Sequence, residues 1–440
     1  MTVHRRGHRR WANFVVTTLV VGLGLAACTS GSSEVGSEDE PGDTTTQVPI
    51  PEQPESPAQE AIIALSGQLA IVDAHEVVVM PPDGSDRVVV AGSELEVASQ
   101  PTWSPDGSRL AWVTTDGVDS AIGVGAPGAE PDLTVGLGTT PFYLSWDTAG
   151  STLGYLRPEV GGTRFEMGTV VPGENVVPGE VGAPLYLSWR PDEPELVLHV
   201  DGDRLELSTP PDPAVAIAPT ADQFAAPVWL DEDHVLTVEA GKLVSLDVVT
   251  NARRELLEIG DVTRFVLSPD RARLAYLTVQ AATQTVAFEL GARQPETIAD
   301  VDLRVLDFAT GRDVLVTDEA PLAFEWSPNS ALLGWLGRAD GLGVQWHIWS
   351  SAGEFTTLTP YVPSRLDQSA YLPFFDQYAQ SQHRWEPEGQ AMVFAGTVGT
   401  ETGVWVELID GDFGPFLVAD GDYATWSPPP GGGGGGASIL

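Results

Sequence analysis

Cysteine, lysine and histidine are so scarce in this 440-residue chain that most side-chain chemistry can be settled by counting. Cys28 is the single cysteine and Lys242 the single lysine, so neither an internal disulfide nor a lysine-bearing phosphate loop is available. Beyond the first ten residues the histidines are His75, His199, His234, His347 and His383, each without a second histidine at metal-ligand spacing. Three acidic clusters, Asp201-Gly202-Asp203, Asp231-Glu232-Asp233 and Asp420-Gly421-Asp422, offer oxygen ligands of the kind calcium takes. Each also falls where a turn is expected, and turns favour Asp and Gly on their own account. No cofactor is therefore expected, with calcium the one candidate ion. Gly123-Val124-Gly125-Ala126-Pro127-Gly128 spells the dinucleotide fingerprint, but Pro127 interrupts it and no helix pattern follows. No Gly-x-Ser-x-Gly elbow occurs, and with 62 acidic residues close carboxylate pairs carry no information about glycosidase chemistry. No catalytic set is expected.

The elements that must position any site are written in a repeat. Trp103-Ser104-Pro105-Asp106-Gly107-Ser108-Arg109-Leu110-Ala111-Trp112 reads as strand, tight turn, strand. An apolar pair follows Trp103 at seven and nine residues, and the pattern returns at Trp146, Trp189, Trp229, Leu267, Trp326 and Trp385. An eighth anchor, Trp426-Ser427-Pro428, stands without a strand after it. Successive anchors are 43, 43, 40, 38, 59, 59 and 41 residues apart. Units of this length holding several short strands predict an all-β propeller of four-stranded blades. Eight blades are expected, with seven as the alternative count. Residues 68–91 read as a blade lacking its first strand, for which Tyr423 to Ser427 is the donor. A competing assignment uses Ile62 to Leu65 as that strand and leaves the C-terminal one surplus. Sharing one blade between the chain ends closes the ring and removes open sheet edges. Tryptophan at the anchor is expected to fill the gap between wedge-shaped blades.

Trp-Ser-Pro-Asp-Gly followed by Leu-Ala-Trp resembles the repeat of TolB-like propellers, which is shared by the propeller domain of prolyl oligopeptidases. The likeness spans about residues 62–428. It implies the fold rather than an activity, since one blade type serves scaffolds, sensors and enzymes. The blade count of eight departs from the six of the TolB pattern, and a separate N-terminal α/β domain is not evident.

Two stretches break the rhythm, residues 280–302 and residues 361–383. The first lengthens the second-to-third strand connection of the Leu267 blade, and the second lengthens the passage into the Trp385 blade. Strand parity puts both on the face opposite the Ser-Pro turns. The second contains Tyr371, Phe374, Phe375, Asp376, Gln377 and Tyr378, with Trp346 and Trp349 in a strand nearby. Two readings stand: an aromatic binding patch for a protein or glycan, or rings folded inward to plug the channel.

The chain begins with Arg5, Arg6, Arg9 and Arg10, followed by an apolar run from Phe14 to Ala27. This has the form of a secretory signal. Leu25-Ala26-Ala27-Cys28 resembles the lipobox of bacterial lipoproteins, which implies cleavage before Cys28 and lipid on its sulfur. Residues 1–27 are thus read as signal peptide and 28–60 as an acidic tether, with eight acidic and no basic residues from 29 to 60. Residues 61–428 are the propeller and 429–440 a Gly-rich tail. The net charge of −40 repels nucleic acid. The expected setting is extracytoplasmic, anchored to the cell membrane by lipid. The expected role is binding or scaffolding for a protein of the envelope, with an enzyme acting on polysaccharide or peptide, or a sensory or transporter accessory, as alternatives.

Overall fold

The computed structural model describes residues 57–134, 136–219, 225–260, 264–279, 301–411 and 413–429. The signal segment, Cys28 and most of the tether lie outside them, as do residues 280–300 of the first insertion and the glycines Gly431 to Gly436.

Eight four-stranded antiparallel sheets make up the propeller. Blade 1 is the composite one. Leu69–Asp73, Glu76–Met80 and Val88–Ala91 pair in order, and Tyr423–Trp426 adds the remaining strand with Leu69 opposite Trp426. The competing assignment fails because Ile62 belongs to a short helix, Pro57–Ile63, and not to a strand. Ile62 and Leu65 are buried beside Leu69, Ala391 and Trp426, so the helix caps the junction between the first and last blades.

Blades 2 to 7 each open on an anchor strand: Val97–Trp103, Tyr143–Trp146, Leu185–Trp189, Val228–Trp229, Phe265–Leu267 and Ala323–Trp326. The turn after Trp103 shows why the repeat has its composition. Gly107 takes φ of +69°, the Ser104 hydroxyl donates to Asp106 at 2.6 Å, and the Ser108 N–H donates to the same carboxylate at 3.0 Å. Gly123 of the rejected fingerprint sits mid-strand under Trp112, where a Cβ would meet the indole at 2.4 Å. It is a packing glycine.

The anchors also bind the blades to one another. The indole N–H of Trp146 donates to the Thr102 carbonyl at 3.1 Å, that of Trp189 to Ser145 at 3.0 Å, and that of Trp229 to Ser188 at 3.2 Å. Trp326 reaches Val266 in the same way at 3.1 Å. Each acceptor is the residue just before the preceding blade's anchor. Guanidinium groups cover three of these rings, Arg109 on Trp146, Arg190 on Trp229 and Arg273 on Trp326, at 5.0–5.3 Å. Packing, a hydrogen bond and a cation thus act together on the side chains of Trp146, Trp229 and Trp326.

Blade 8 departs from the pattern. Val362–Pro363 pairs with Thr397 and Gly396 of the strand Ala391–Val398, and Ser364 N–H donates to the Ala395 carbonyl. The chain then leaves the sheet and returns at Arg384, whose carbonyl accepts from Val393, and at Trp385, which bridges Met392. Residues 365–383 are therefore looped out of the first strand itself. The sequence pattern placed this insertion between blades instead, because a strand of two residues at Val362–Pro363 carries no repeat signature.

Candidate functional site

The looped-out residues form short helical turns, Asp367–Tyr371, Leu372–Phe374 and Phe375–Tyr378, and they are bound to first strands around the ring. Tyr143 of blade 3 donates its hydroxyl to the Gln377 carbonyl at 3.1 Å. The Gln377 side chain gives Nε2–H to Tyr143 Oη at 2.8 Å and to the Leu187 carbonyl of blade 4 at 2.9 Å, while its Oε1 accepts the Leu187 N–H at 3.1 Å. Tyr378 donates to the Phe142 carbonyl and packs edge-on against Tyr143 at 5.2 Å. Phe375 packs edge-on against Phe324 of blade 7 at 4.8 Å, and Tyr371 stacks on Tyr423 of blade 1 at 3.6 Å. First strands present unpaired backbone groups towards the channel, and the insertion supplies partners for them.

The aromatic segment is therefore internal. Tyr371, Phe375, Asp376, Gln377 and Tyr378 are all buried, and only Phe374, at 46% exposure, faces solvent. Of the two readings, these positions favour rings folded inward as a plug over an exposed patch. Trp346 and Trp349 are buried in the third strand of blade 7, where the Trp346 indole donates to Tyr361 Oη at 3.2 Å.

A charge cluster ties the insertion to its roots. Arg384 makes a two-pronged contact with Asp367, at 2.6 and 3.2 Å, and its Nε lies 3.5 Å from Glu325 of blade 7. The Asp367 side chain is 1% exposed. Burial raises the Glu325 carboxyl to about 7 against the opposing pull of Arg384. Burial also pushes the Tyr371 and Tyr423 hydroxyls well above their ordinary range and raises the Asp376 carboxyl. His383, at the end of the insertion, is driven down to about 4 by burial, so its imidazole is neutral at pH 7.

Above the plug, on the face of the Ser-Pro turns, the channel mouth holds two lobes. One, of about 230 Å³, is lined by Trp103, Trp146, Trp189, Pro105, Gln380 and Ser381 among others. The other, of about 180 Å³, is lined by Glu325, Trp326, Trp385, Pro269, Pro328 and Pro429 among others. His383 and Pro428 line both. The sequence pattern missed this region: its members are scattered from Trp103 to Pro429, and only ring closure brings them together.

The remaining candidates serve the framework. His199 is buried and hydrogen-bonded to the Ala225 carbonyl at 2.9 Å, His234 meets Asp231 at 2.8 Å, and His347 stacks on Trp335 at 4.9 Å. Asp201 holds Arg164, Arg204 and the Ala183 N–H, and Asp231 caps its own turn. Asp420 and Asp422 flank Gly421, where a Cβ would meet Ile71 at 2.6 Å. Among the described residues no group of three or more His, Cys, Asp or Glu side chains is placed to hold a metal ion. No helix among them is long and apolar enough to cross a membrane.

Compared by sequence, the chain matches no family model and no curated protein. By structure it is similar to the propellers of several proteins. A TolB from Acinetobacter baumannii aligns with TM-score 0.38 and 16% identity over 67% of this chain, which spans 63% of that one. Prolyl endopeptidases, described for their inter-domain dynamics in catalysis, align with TM-score 0.50 and 10% identity over 86% of this chain and 53% of theirs. An oligogalacturonate lyase in complex with manganese aligns with TM-score 0.45 and 13% identity over 78% of this chain and 98% of its own. At these identities the likeness shows the fold, a β-propeller.

Proposed function

We propose that this propeller is the non-catalytic, protein-binding module of a cell-envelope lipoprotein, held at the outer side of a membrane by lipid on Cys28. The observation that carries the reading is the filled channel. The insertion spends its aromatic and amide groups on the first strands of four blades, so the ring is a solid platform and its faces are what remains for a partner. The lipobox-like Leu25-Ala26-Ala27-Cys28 and the acidic stretch that follows support a tethered module standing clear of the lipid surface. Affinity capture of the full-length, lipidated protein from solubilised membranes tests the reading. A protein recovered in fixed ratio supports it, and recovery of the chain alone overturns it.

One observation favours a second reading, an enzyme acting on peptide or polysaccharide. Glu325, whose carboxyl burial raises to about 7, lines the smaller lobe beside His383, within the range where a carboxyl can exchange a proton near neutral pH. Turnover of either polymer class, abolished by Glu325→Gln, would establish this reading in place of the first.

A further inference from the structure

One imidazole in the channel mouth has no partner in the protein. The backbone of His383 is pinned to blade 1: its N–H donates to Thr425 Oγ1 at 2.9 Å, and its carbonyl accepts the Trp426 N–H at 2.6 Å. The ring makes no hydrogen bond among the described residues, and burial alone acts on it. It borders both lobes and is only half-buried, so its nitrogens stay open to the space they line. Polar groups this enclosed are nearly always paired, and what pairs with a rigidly held, open imidazole here has to come from the lobes.

The larger lobe sets the chemistry of the ligand. In a chain of net charge −40, none of its lining residues is charged: three indoles, two prolines, four hydroxyls, an amide and the neutral imidazole form it. An ion would give up its hydration there with nothing charged to replace it. A wholly apolar ligand would strand the imidazole, at a cost of about 1–3 kcal/mol. Hydroxyls and a neutral imidazole each donate and accept, and Thr148 keeps its hydrogen to give while its oxygen accepts the Asp192 N–H at 3.1 Å. Sugar hydroxyls have the same double character, and the C–H faces of a pyranose match indole and pyrrolidine. A peptide backbone, whose N–H only donates and whose C=O only accepts, is the poorer match. Size agrees, since a cavity of about 150 Å³ takes up benzene and the lobe, of about 230 Å³, admits one six-membered ring with its substituents.

We infer that the larger lobe is a binding site for one neutral pyranose ring, free or at the end of a glycan, whose hydroxyls bond the His383 imidazole. The site stands apart from the protein-binding reading and does not require turnover. In the experiment, full-length protein carrying 15N-labelled histidine is titrated with neutral hexoses, a neutral hexasaccharide, glucuronate and a pool of end-blocked hexapeptides. The expected result is saturable movement of the His383 ring resonances by a neutral hexose at millimolar concentration, and none by glucuronate. Tighter binding of the hexasaccharide marks the end of a glycan as the ligand, and equal binding marks the free sugar. Tryptophan fluorescence then gives the affinities of two variants. His383→Phe keeps the ring and removes its nitrogens, and it weakens the hexose by about tenfold; Thr148→Val weakens it a few-fold, each with little change in melting temperature. No response to any neutral sugar overturns the site, as does wild-type affinity in both variants, or glucuronate or peptide binding equal to the best hexose. The enzyme reading fails separately. Sugar binding without turnover keeps the site and counts against the enzyme, whereas turnover with unchanged KM in His383→Phe removes the site and keeps the enzyme.

Discussion

The side-chain amide of Gln377 pairs with the backbone of Leu187 as a neighbouring strand would, accepting its N–H at 3.1 Å and donating to its carbonyl at 2.9 Å. A single residue thereby completes the inner edge of blade 4 from the middle of the channel. Gln377→Leu keeps most of the volume but leaves the Leu187 N–H and C=O and the Tyr143 hydroxyl short of partners. The expected loss is about 2–4 kcal/mol, since each buried orphan costs about 1–3 kcal/mol and Tyr143 recovers part of its bonding. Urea unfolding of the variant checks this; a loss below 0.5 kcal/mol is the contrary result, roughly the scatter of a neutral surface change.

The neighbouring phenylalanines separate plug from patch. Phe375 is 6% exposed against Phe324, and Phe374 is 46% exposed. Phe375→Ala is expected to cost about 3–4 kcal/mol as a buried aromatic truncation, and Phe374→Ala less than about 1 kcal/mol. Equal effects in a thermal melt would refute the placement.

Glu325 gives the fold a pH dependence of definite sign. Its folded value of about 7 lies above the ordinary 4.5, so the folded state holds this proton more tightly than the unfolded chain does. Its contribution is whole below about pH 4.5 and is lost as pH rises towards 7. Glu325→Gln is therefore expected to be nearly neutral at pH 4.5 and stabilising at pH 8 by on the order of 2 kcal/mol. Paired melts at the two values test it, and a variant less stable at pH 8 than the parent contradicts it. His383 acts on the other side: depressed to about 4, it takes stability away as pH falls below 6.5.

Ring closure predicts an oligomer on truncation. A chain ending at residue 420 lacks Tyr423–Trp426 and exposes the edge of Leu69–Asp73, which is apolar and buried in the intact ring. An unpaired apolar strand recruits another copy. Light scattering of the truncated protein is expected to show association; a stable monomer would mean that the helix Pro57–Ile63 covers the edge alone.

Blade number, strand order and the shared blade were legible because the anchor, its turn and the apolar pair seven and nine residues later recur along the chain. Where that pattern vanishes, legibility ends. Val362–Pro363 is too short to show a period, so the insertion was read between blades although it interrupts a strand. Tyr371 and Gln377 carry no local sign of facing inward, because their partners Tyr423 and Leu187 belong to other blades. Aromatic loops at a surface and aromatic plugs in a channel have one composition, and only long-range packing tells them apart. The channel mouth was illegible for the same reason.

Backbone hydrogen exchange across residues 365–383 tests the filled channel most directly, because a plug bonded to four blades opens only when the ring does. Protection of the Leu187 and Gln377 amides to the level of the inner strands, around Leu110 and Leu333, is the result this account predicts. Exchange of residues 365–383 within seconds, while those strands stay protected, would show an open channel and contradict it.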